Sequence, residues 1–249
     1  MSPEGPADWP YPARIAHRGA GLLAPENTLA ALRRGAALGY RMFELDAKLS
    51  GDGALVLMHD EILDRTTDGR GRVAASSLAD LMRLDAGSWH SSRYAGEGVP
   101  TLARAAAWLR ANGLHANLEI KPCPGRERET GAAVAIEAAR LWQGAPAPPL
   151  LSSFSGEALD AARGAAPRLP RALLLEQMTG DWVARCRDLG CRAVVVRQDA
   201  LDEATIARAH AASLRVLAYT VNDPARAVAL ESWGLDGLIT DEVERISPG

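Results

Sequence analysis

Met42-Phe43-Glu44-Leu45-Asp46-Ala47-Lys48-Leu49-Ser50-Gly51-Asp52-Gly53-Ala54-Leu55-Val56-Leu57-Met58-His59-Asp60 is the stretch whose reading decides how this chain folds. Met42–Asp46 reads as a strand, and the i, i+2 spacing of Glu44 and Asp46 puts both carboxylates on one face. A second apolar run, Leu55–Met58, follows too soon for a parallel crossover, which takes about a dozen residues or more. Between the two runs, Ser50-Gly51-Asp52-Gly53 is a strong reversal signal. Leu55–Met58 is therefore expected to return antiparallel beside the second strand. A hairpin centred near Asp52 brings His59 opposite Leu45, next to the Glu44/Asp46 pair.

Outward from this hairpin, strand and helix signals alternate along the chain, which argues for an α/β fold with a parallel sheet. Arg14–His17 is a short first strand. A helix is expected from about Pro25, with the proline at its start, to Leu38, stopping at Gly39. Further strands are expected around Ala116–Ile120, Leu150–Ser153, Ala172–Leu175, Ala193–Val196, Val216–Thr220 and Gly237–Thr240. Helical segments rich in alanine separate most of them: Leu102–Ala111, Glu127–Trp142, Glu157–Ala165, Trp182–Leu189, Glu203–Ala212 and Pro224–Trp233. With Leu55–Met58 set aside, eight strands remain, the number a closed barrel needs. The expected architecture is a TIM (β/α)8 barrel forming one domain over residues 1–249. Residues from about 60 to 100 fit no barrel slot and read as a small insertion after the hairpin, over the barrel mouth.

The length of 249 residues suits one such barrel, and a net charge of −3 carries no electrostatic footprint for nucleic acid. No apolar run approaches the ~18 residues of a membrane span. Met1–Pro6 lack a basic leader region and no apolar stretch follows them. The three cysteines, Cys123, Cys186 and Cys191, agree with a reducing compartment. A cytoplasmic protein with no membrane anchor is expected, and no signal speaks to its oligomeric state. Only two lysines occur, Lys48 and Lys121, so each marks a place where a compact charge was kept in a chain that otherwise uses arginine.

Three islands end strands with paired functional groups. They are His17-Arg18-Gly19 followed by Pro25-Glu26-Asn27-Thr28, Glu44-Leu45-Asp46 followed by His59-Asp60, and Glu119-Ile120-Lys121. Inward positions of a barrel are normally bulky and aliphatic. A carboxylate there needs a metal or a cation to offset its desolvation. Glu44, Asp46 and Glu119 offer oxygen ligands suited to Mg²⁺ or Ca²⁺, with a salt bridge to one of the many arginines as the structural alternative. No Cys or His cluster has zinc spacing. His17 and His59 can serve as acid and base. Arg18 and Lys121 can hold a phosphate, or balance the carboxylates. His90, His115 and His210, in the insertion, a turn and a helix, read as structural. Ser152-Ser153-Phe154 lacks a recognisable His/Asp partner for a serine nucleophile. Tyr219-Thr220-Val221-Asn222 and Thr240-Asp241 read as pocket walls or loop caps.

As a set, these motifs resemble the glycerophosphodiester phosphodiesterase family of the cytosolic bacterial type. The resemblance rests on His17-Arg18-Gly19, Pro25-Glu26-Asn27-Thr28, Phe43-Glu44-Leu45-Asp46, His59-Asp60, Leu63-Asp64-Arg65-Thr66-Thr67, Leu118-Glu119-Ile120-Lys121, Ser152-Ser153-Phe154 and Tyr219-Thr220-Val221-Asn222, in that order. It implies hydrolysis of glycerophosphodiesters, such as glycerophosphocholine and glycerophosphoethanolamine, to glycerol 3-phosphate and an alcohol. It implies one divalent cation, Mg²⁺ by preference with Ca²⁺ or Mn²⁺ as alternatives, held by Glu44, Asp46 and Glu119. His17 and His59 become the acid/base pair, Arg18 and Lys121 the phosphate-binding pair, and Phe154 and Tyr219 the pocket wall. Tyr219 departs from the tryptophan of many relatives. Two rival readings are a related barrel phosphodiesterase acting on intact lipid, of the sphingomyelinase D or phosphatidylinositol phospholipase C type, and a non-catalytic binding protein on this scaffold.

Overall fold

Strands buried on both faces build the barrel of this protein, seen here in a computed structural model that describes residues 9–248. The Met1–Pro6 stretch read above for a targeting signal lies outside them. The barrel strands are β1 (Arg14–Ala16), β2 (Met42–Leu49), β4 (His115–Ile120), β5 (Leu150–Ser153), β6 (Arg171–Leu175), β7 (Ala193–Arg197), β8 (Arg215–Tyr219) and β9 (Gly237–Thr240), with β3 (Leu55–Leu57) outside the ring. All neighbouring barrel strands pair in parallel, and β1 closes the ring by pairing with both β2 and β9. The fold is the eight-stranded TIM barrel read from the sequence.

Both faces of the sheet are covered, so the strands read as nearly continuous apolar runs. Phe43, Leu45 and Ala47 pack into a cluster shared with helix residues such as Leu32, Leu109 and Val134. Met42 instead joins Ile15, Leu174, Val195, Leu217 and Ile239, which come from strands only and fill the barrel interior. Glu44, Asp46 and Lys48 follow Met42 at i+2 steps and therefore point inward, above this apolar floor. The helices α1 (Leu29–Ala37), α3 (Leu102–Ala111), α4 (Glu127–Leu141), α5 (Gly156–Ala165), α6 (Trp182–Asp188), α7 (Glu203–Ala211) and α8 (Pro224–Ser232) return the chain between strands, and α2 (Leu78–Leu81) is a single turn in the insertion.

The hairpin forms in the expected register. Ala47 lies opposite Leu57, Lys48 opposite Val56 and Leu49 opposite Leu55, a pairing centred on Asp52. The Met58 amide continues it by donating to the Asp46 carbonyl at 2.9 Å. The segment after the hairpin buries Leu63, Val73, Leu81, Ala86 and Val99 against Val56 and Met58, an apolar cluster separate from the barrel core. It also grips the loop that follows β1 and the first turn of α1. The Tyr94 hydroxyl donates to the Leu23 carbonyl at 3.1 Å, and the Glu97 carboxylate accepts from the Ala30 amide at 3.1 Å.

Two sequence expectations are corrected. His115, read as part of a turn, is the first residue of β4 and pairs with Met42. The first helix starts at Leu29 rather than near Pro25, with the Thr28 hydroxyl accepting from the Ala31 amide as its N-cap. Asn27 has a left-handed φ of 57°, which no helix interior accepts. The site described below uses that residue, and helix propensity yields to it.

Helices α4 and α5 pack closely enough that Gly131 is required between them. A Cβ at Gly131 would lie 2.1 Å from the carbonyl oxygen of Ala158. Alanine in a helix interior gains about 1 kcal/mol over glycine, whereas overpacking against backbone costs about 1–3 kcal/mol. Gly131→Ala is therefore expected to lower stability while leaving the barrel mouth intact. Chemical denaturation checks this: an unchanged or raised midpoint means that α4 and α5 separate freely.

Candidate active site

The end of β1 departs from regular structure at the point where chemistry is expected. Arg18 adopts a left-handed φ of 51° and Gly19 a φ of 106°, inside a 3-10 turn over His17–Gly19. A non-glycine residue in this region costs free energy, and such conformations gather at functional sites. The turn aims the Arg18 amide at Glu44 Oε2, at 3.2 Å. The Arg18 carbonyl accepts from the Asn27 amide at 2.9 Å, which folds the following loop back onto the strand. Asn27 then clamps Asp46: its Nδ2 donates to Asp46 Oδ2 at 2.8 Å, and its Oδ1 accepts from the Asp46 amide at 3.0 Å.

Glu44, Asp46 and Glu119 each bring a carboxylate oxygen to within 4.8 Å of the others. The sheet register explains this: Asp46 of β2 lies beside Glu119 of β4. Lys121 Nζ donates to Glu119 Oε1 at 2.7 Å and lies 3.8 Å from Asp46 Oδ1, and Arg18 Nε lies 3.5 Å from Asp46 Oδ2. The cationic partners are shared unequally. Burial raises the Asp46 carboxyl, but the charges of Arg18, Lys121 and His59 with the Asn27 hydrogen bond outweigh it and hold the pKa below the usual range. Burial, reinforced by the Asp46 charge, pushes Glu44 up to about 8. Burial and the Asp46 charge also raise Glu119 against the pull of Lys121. Glu44 Oε1 is buried and makes no hydrogen bond with a protein group. Clustered oxygens, one of them unpaired, with like charges that burial penalises, fit a hard divalent cation.

Both candidate histidines have their Nδ1 taken by a carboxylate. His17 Nδ1 lies 2.6 Å from Asp241 Oδ1, and His59 Nδ1 lies 2.7 Å from Asp60 Oδ1. Both carboxylates sit below the usual pKa range and are ionised; for Asp241, burial pulls the other way but the hydrogen bond and charge of His17 outweigh it, and for Asp60 the Arg65 hydrogen bonds lead. An ionised carboxylate only accepts, so each Nδ1 carries a proton and donates it. His17 Nε2 is then turned toward Glu44 Oε2, 3.7 Å away. Burial opposes the charged form of His17, yet the Asp241 hydrogen bond and the Glu44 and Asp241 charges raise its pKa above 6.5. For His59 burial leads and, with the Arg18 and Lys121 charges, lowers the pKa despite Asp46 and Asp60.

Asp241 was read from sequence only as a pocket wall or cap. Barrel closure supplies the missing signal. Ala16 pairs with Thr240, so the next residues, His17 and Asp241, emerge side by side. Asn222 fixes the carboxylate by donating to Asp241 Oδ2 at 3.1 Å and accepting from the Asp241 amide at 2.9 Å. Lys48, singled out only for its rarity, is buried and donates from Nζ to the Lys121 carbonyl at 3.0 Å. A cavity of about 450 Å³ opens beside the cluster and includes His59, Glu119, Lys121 and Phe154 in its lining. Lys121 Nζ sits 5.7 Å from the Phe154 ring centre, and Phe154 meets Tyr219 edge-on at 5.8 Å. Tyr219 stands behind Phe154 and bonds to the Leu175 carbonyl at 3.3 Å.

Fold and site together define a barrel enzyme with an acidic cluster and two carboxylate-held imidazoles at the C-terminal ends of its strands, where TIM-barrel active sites lie. Residues 17–245 match the profile of the glycerophosphoryl diester phosphodiesterase family, and the chain belongs to that family. It is accordingly a phosphoric diester hydrolase. A glycerophosphodiester phosphodiesterase of Bacillus subtilis is 34% identical over 244 residues, covering 91% of this chain and 82% of that one. An Oleispira antarctica phosphodiesterase, solved in complex with the product sn-glycerol-3-phosphate, superposes with a TM-score of 0.88 at 38% identity, covering 94% of this chain and 95% of its own. A glycerophosphodiester phosphodiesterase from Agrobacterium tumefaciens superposes with a TM-score of 0.78 at 27% identity, covering 93% of this chain and 96% of its own. Among the described residues no helix is long and apolar enough to cross a membrane.

The raised Glu44 makes a signed prediction for the chelated protein. The folded state keeps a proton that the unfolded chain releases, so the stability this provides is complete below the ordinary 4.5 and is lost as pH rises toward about 8. Glu44→Gln is expected to flatten that decline, leaving the share due to Glu119. Unfolding midpoints against pH in excess EDTA test it; equal slopes for wild type and Glu44→Gln would remove Glu44 as the source.

Proposed function

We propose that this enzyme cleaves small glycerophosphodiesters, such as glycerophosphocholine and glycerophosphoethanolamine, to glycerol 3-phosphate and the free alcohol. The observation that carries the reading is the carboxylate cluster flanked by two imidazoles whose Nδ1 atoms are both held by carboxylates. The product bound by the Oleispira antarctica relative supports the glycerol 3-phosphate side. Glu44, Asp46 and Glu119 would hold one divalent cation; the all-oxygen donor set suits Mg²⁺ or Ca²⁺, and the resemblance to the cytosolic bacterial type favours Mg²⁺. Such a cation supplies Lewis-acid polarisation of a phosphoryl oxygen.

The chain's own groups do the rest. Arg18 and Lys121 flank the cluster and offset the charge that builds on the phosphoryl oxygens. The glycerol 2-hydroxyl is the nucleophile we favour, attacking phosphorus in line and giving a cyclic phosphate that water opens. One imidazole takes the nucleophile's proton at Nε2 and the other gives a proton to the leaving alkoxide; the roles reverse in the second step. Phe154, backed by Tyr219, walls the cavity that receives the alcohol. The all-buried set of thiols at Cys123, Cys186 and Cys191 supports a reducing, cytoplasmic site of action.

EDTA is expected to abolish release of glycerol 3-phosphate from glycerophosphocholine, and Mg²⁺ or Mn²⁺ to restore it. Full turnover by protein shown to contain no metal would sink the cation assignment. His59→Ala is expected to lower kcat by about 10²–10⁴-fold, the usual contribution of general acid–base catalysis. Substrate affinity should change little, since Arg18, Lys121 and the cation still hold the phosphate. Steady-state kinetics with kcat near wild type would refute the acid/base role.

A further inference from the structure

We propose that Arg65, in the insertion, is a positioning residue that holds His59 through Asp60 and Arg18 through Glu26; this rests on the acid/base reading of His59 above. Both edges of its guanidinium are used. Nε and Nη2 bond Asp60 at 2.6 and 3.0 Å, and Nη1 and Nη2 bond Glu26 at 2.7 and 2.9 Å. Each carboxylate also holds a residue of the site. Asp60 Oδ1 accepts from His59 Nδ1 at 2.7 Å, and Glu26 Oε1 accepts from Arg18 Nη1 at 2.8 Å. The result is a continuous chain, Arg18–Glu26–Arg65–Asp60–His59, joining the loop after β1 to the residue after the hairpin.

Only a planar fork can grip two carboxylates on two edges at once; a lysine ammonium offers one point. The turn that presents Arg65 is itself anchored. Leu63 is buried in the insertion's apolar cluster, and the Thr67 amide and hydroxyl both bond back to its carbonyl, at 3.1 and 2.7 Å. The Arg65 side chain is 45% exposed. Solvent screens ion pairs at that exposure, but bidentate geometry and a shared network add stability of their own, so the positioning effect is the part read in catalysis. Fixing the imidazole in one orientation and one tautomer is such an effect; partners that orient a metal-held histidine typically matter by about 10–100-fold, and the same scale is expected for this acid/base one.

The test is a double-mutant cycle on the full-length, Mg²⁺-loaded protein with glycerophosphocholine as substrate, together with thermal denaturation and the imidazole ¹⁵N–¹H spectrum of His59. Arg65→Ala should lower kcat by about 10–100-fold. Its Tm should stay close to wild type, and the His59 Nδ1–H signal should broaden or vanish. Arg65→Lys should recover little. Added methylguanidinium, which can enter from solvent, should restore part of the activity of Arg65→Ala and none to His59→Ala. In a His59→Ala background, Arg65→Ala should cost far less than it does alone. Unchanged kcat in Arg65→Ala, or losses that multiply fully with His59→Ala, would overturn the positioning role. Near-normal kcat in His59→Ala alone is instead the failure of the acid/base reading and takes the proposal with it. If Arg65→Ala does not fold, Arg65→Gln, which keeps most of the aliphatic stem, replaces it in the cycle.

Discussion

Like charges inside a low-dielectric barrel are the constraint around which this site is built. Three carboxylates within 4.8 Å of one another cannot all ionise without compensation. The protein supplies part of it from three directions: Arg18 from the turn after β1, Lys121 from beyond the end of β4, and the Asn27 amide from the loop before α1. That compensation is concentrated on Asp46, while Glu44 and Glu119 are pushed toward the protonated form. A barrel floor of Ile15, Met42, Leu174, Val195, Leu217 and Ile239 keeps water from solvating the cluster from below. The backbone follows from the same demand. Arg18 and Asn27 accept left-handed φ values because only then do the Arg18 amide and the Asn27 side chain reach the carboxylates.

Much of this was legible from the sequence because barrels translate period-2 patterns directly into inward and outward faces. Glu44/Asp46 and Glu119/Lys121 share a face by i, i+2 spacing, and parallel register brings the pairs together. The place of His59 along β2 followed from turn chemistry, since a hairpin centred on Asp52 sets the register. Pleat parity alone would turn it to the outward face of Leu45, and it comes under the Asp46 charge because β3 ends at Leu57 and the chain bends there. The missing residues share one property: their meaning depends on a partner far along the chain. Asp241 meets His17 across 224 positions, and Arg65 meets Glu26 across 39. Neither pairing has a local periodic signature. Pro25 misled for the opposite reason. Its local signal as a helix start was sound, but Asn27 was committed to Asp46, and tertiary demand moved the start of α1 to Leu29.

The two histidines show how one requirement is met by different means. His17 is oriented from within the barrel by Asp241, itself fixed by Asn222 in the segment after β8. His59 lies outside the ring of strands, and its carboxylate belongs to the next residue in the chain. A neighbour in sequence needs something else to hold it still, and the insertion brings that constraint in Arg65. The segment that fits no barrel slot thus buries its own apolar residues and reaches back to the active-site loops.

The hairpin also limits how this lineage can change length. Val56 faces the insertion's apolar cluster, while Leu55 and Leu57 face the barrel's outer core. Loss or gain of a single residue in the arm would exchange these faces and redirect the bend after Leu57 that delivers His59. Changes of two residues would restore the parity but shift the imidazole along β2 by a full pleat repeat. The arm between Gly53 and His59 is therefore quantised: insertions and deletions are tolerated in the turn before it or in the loops after it, and within it only substitution is open to drift.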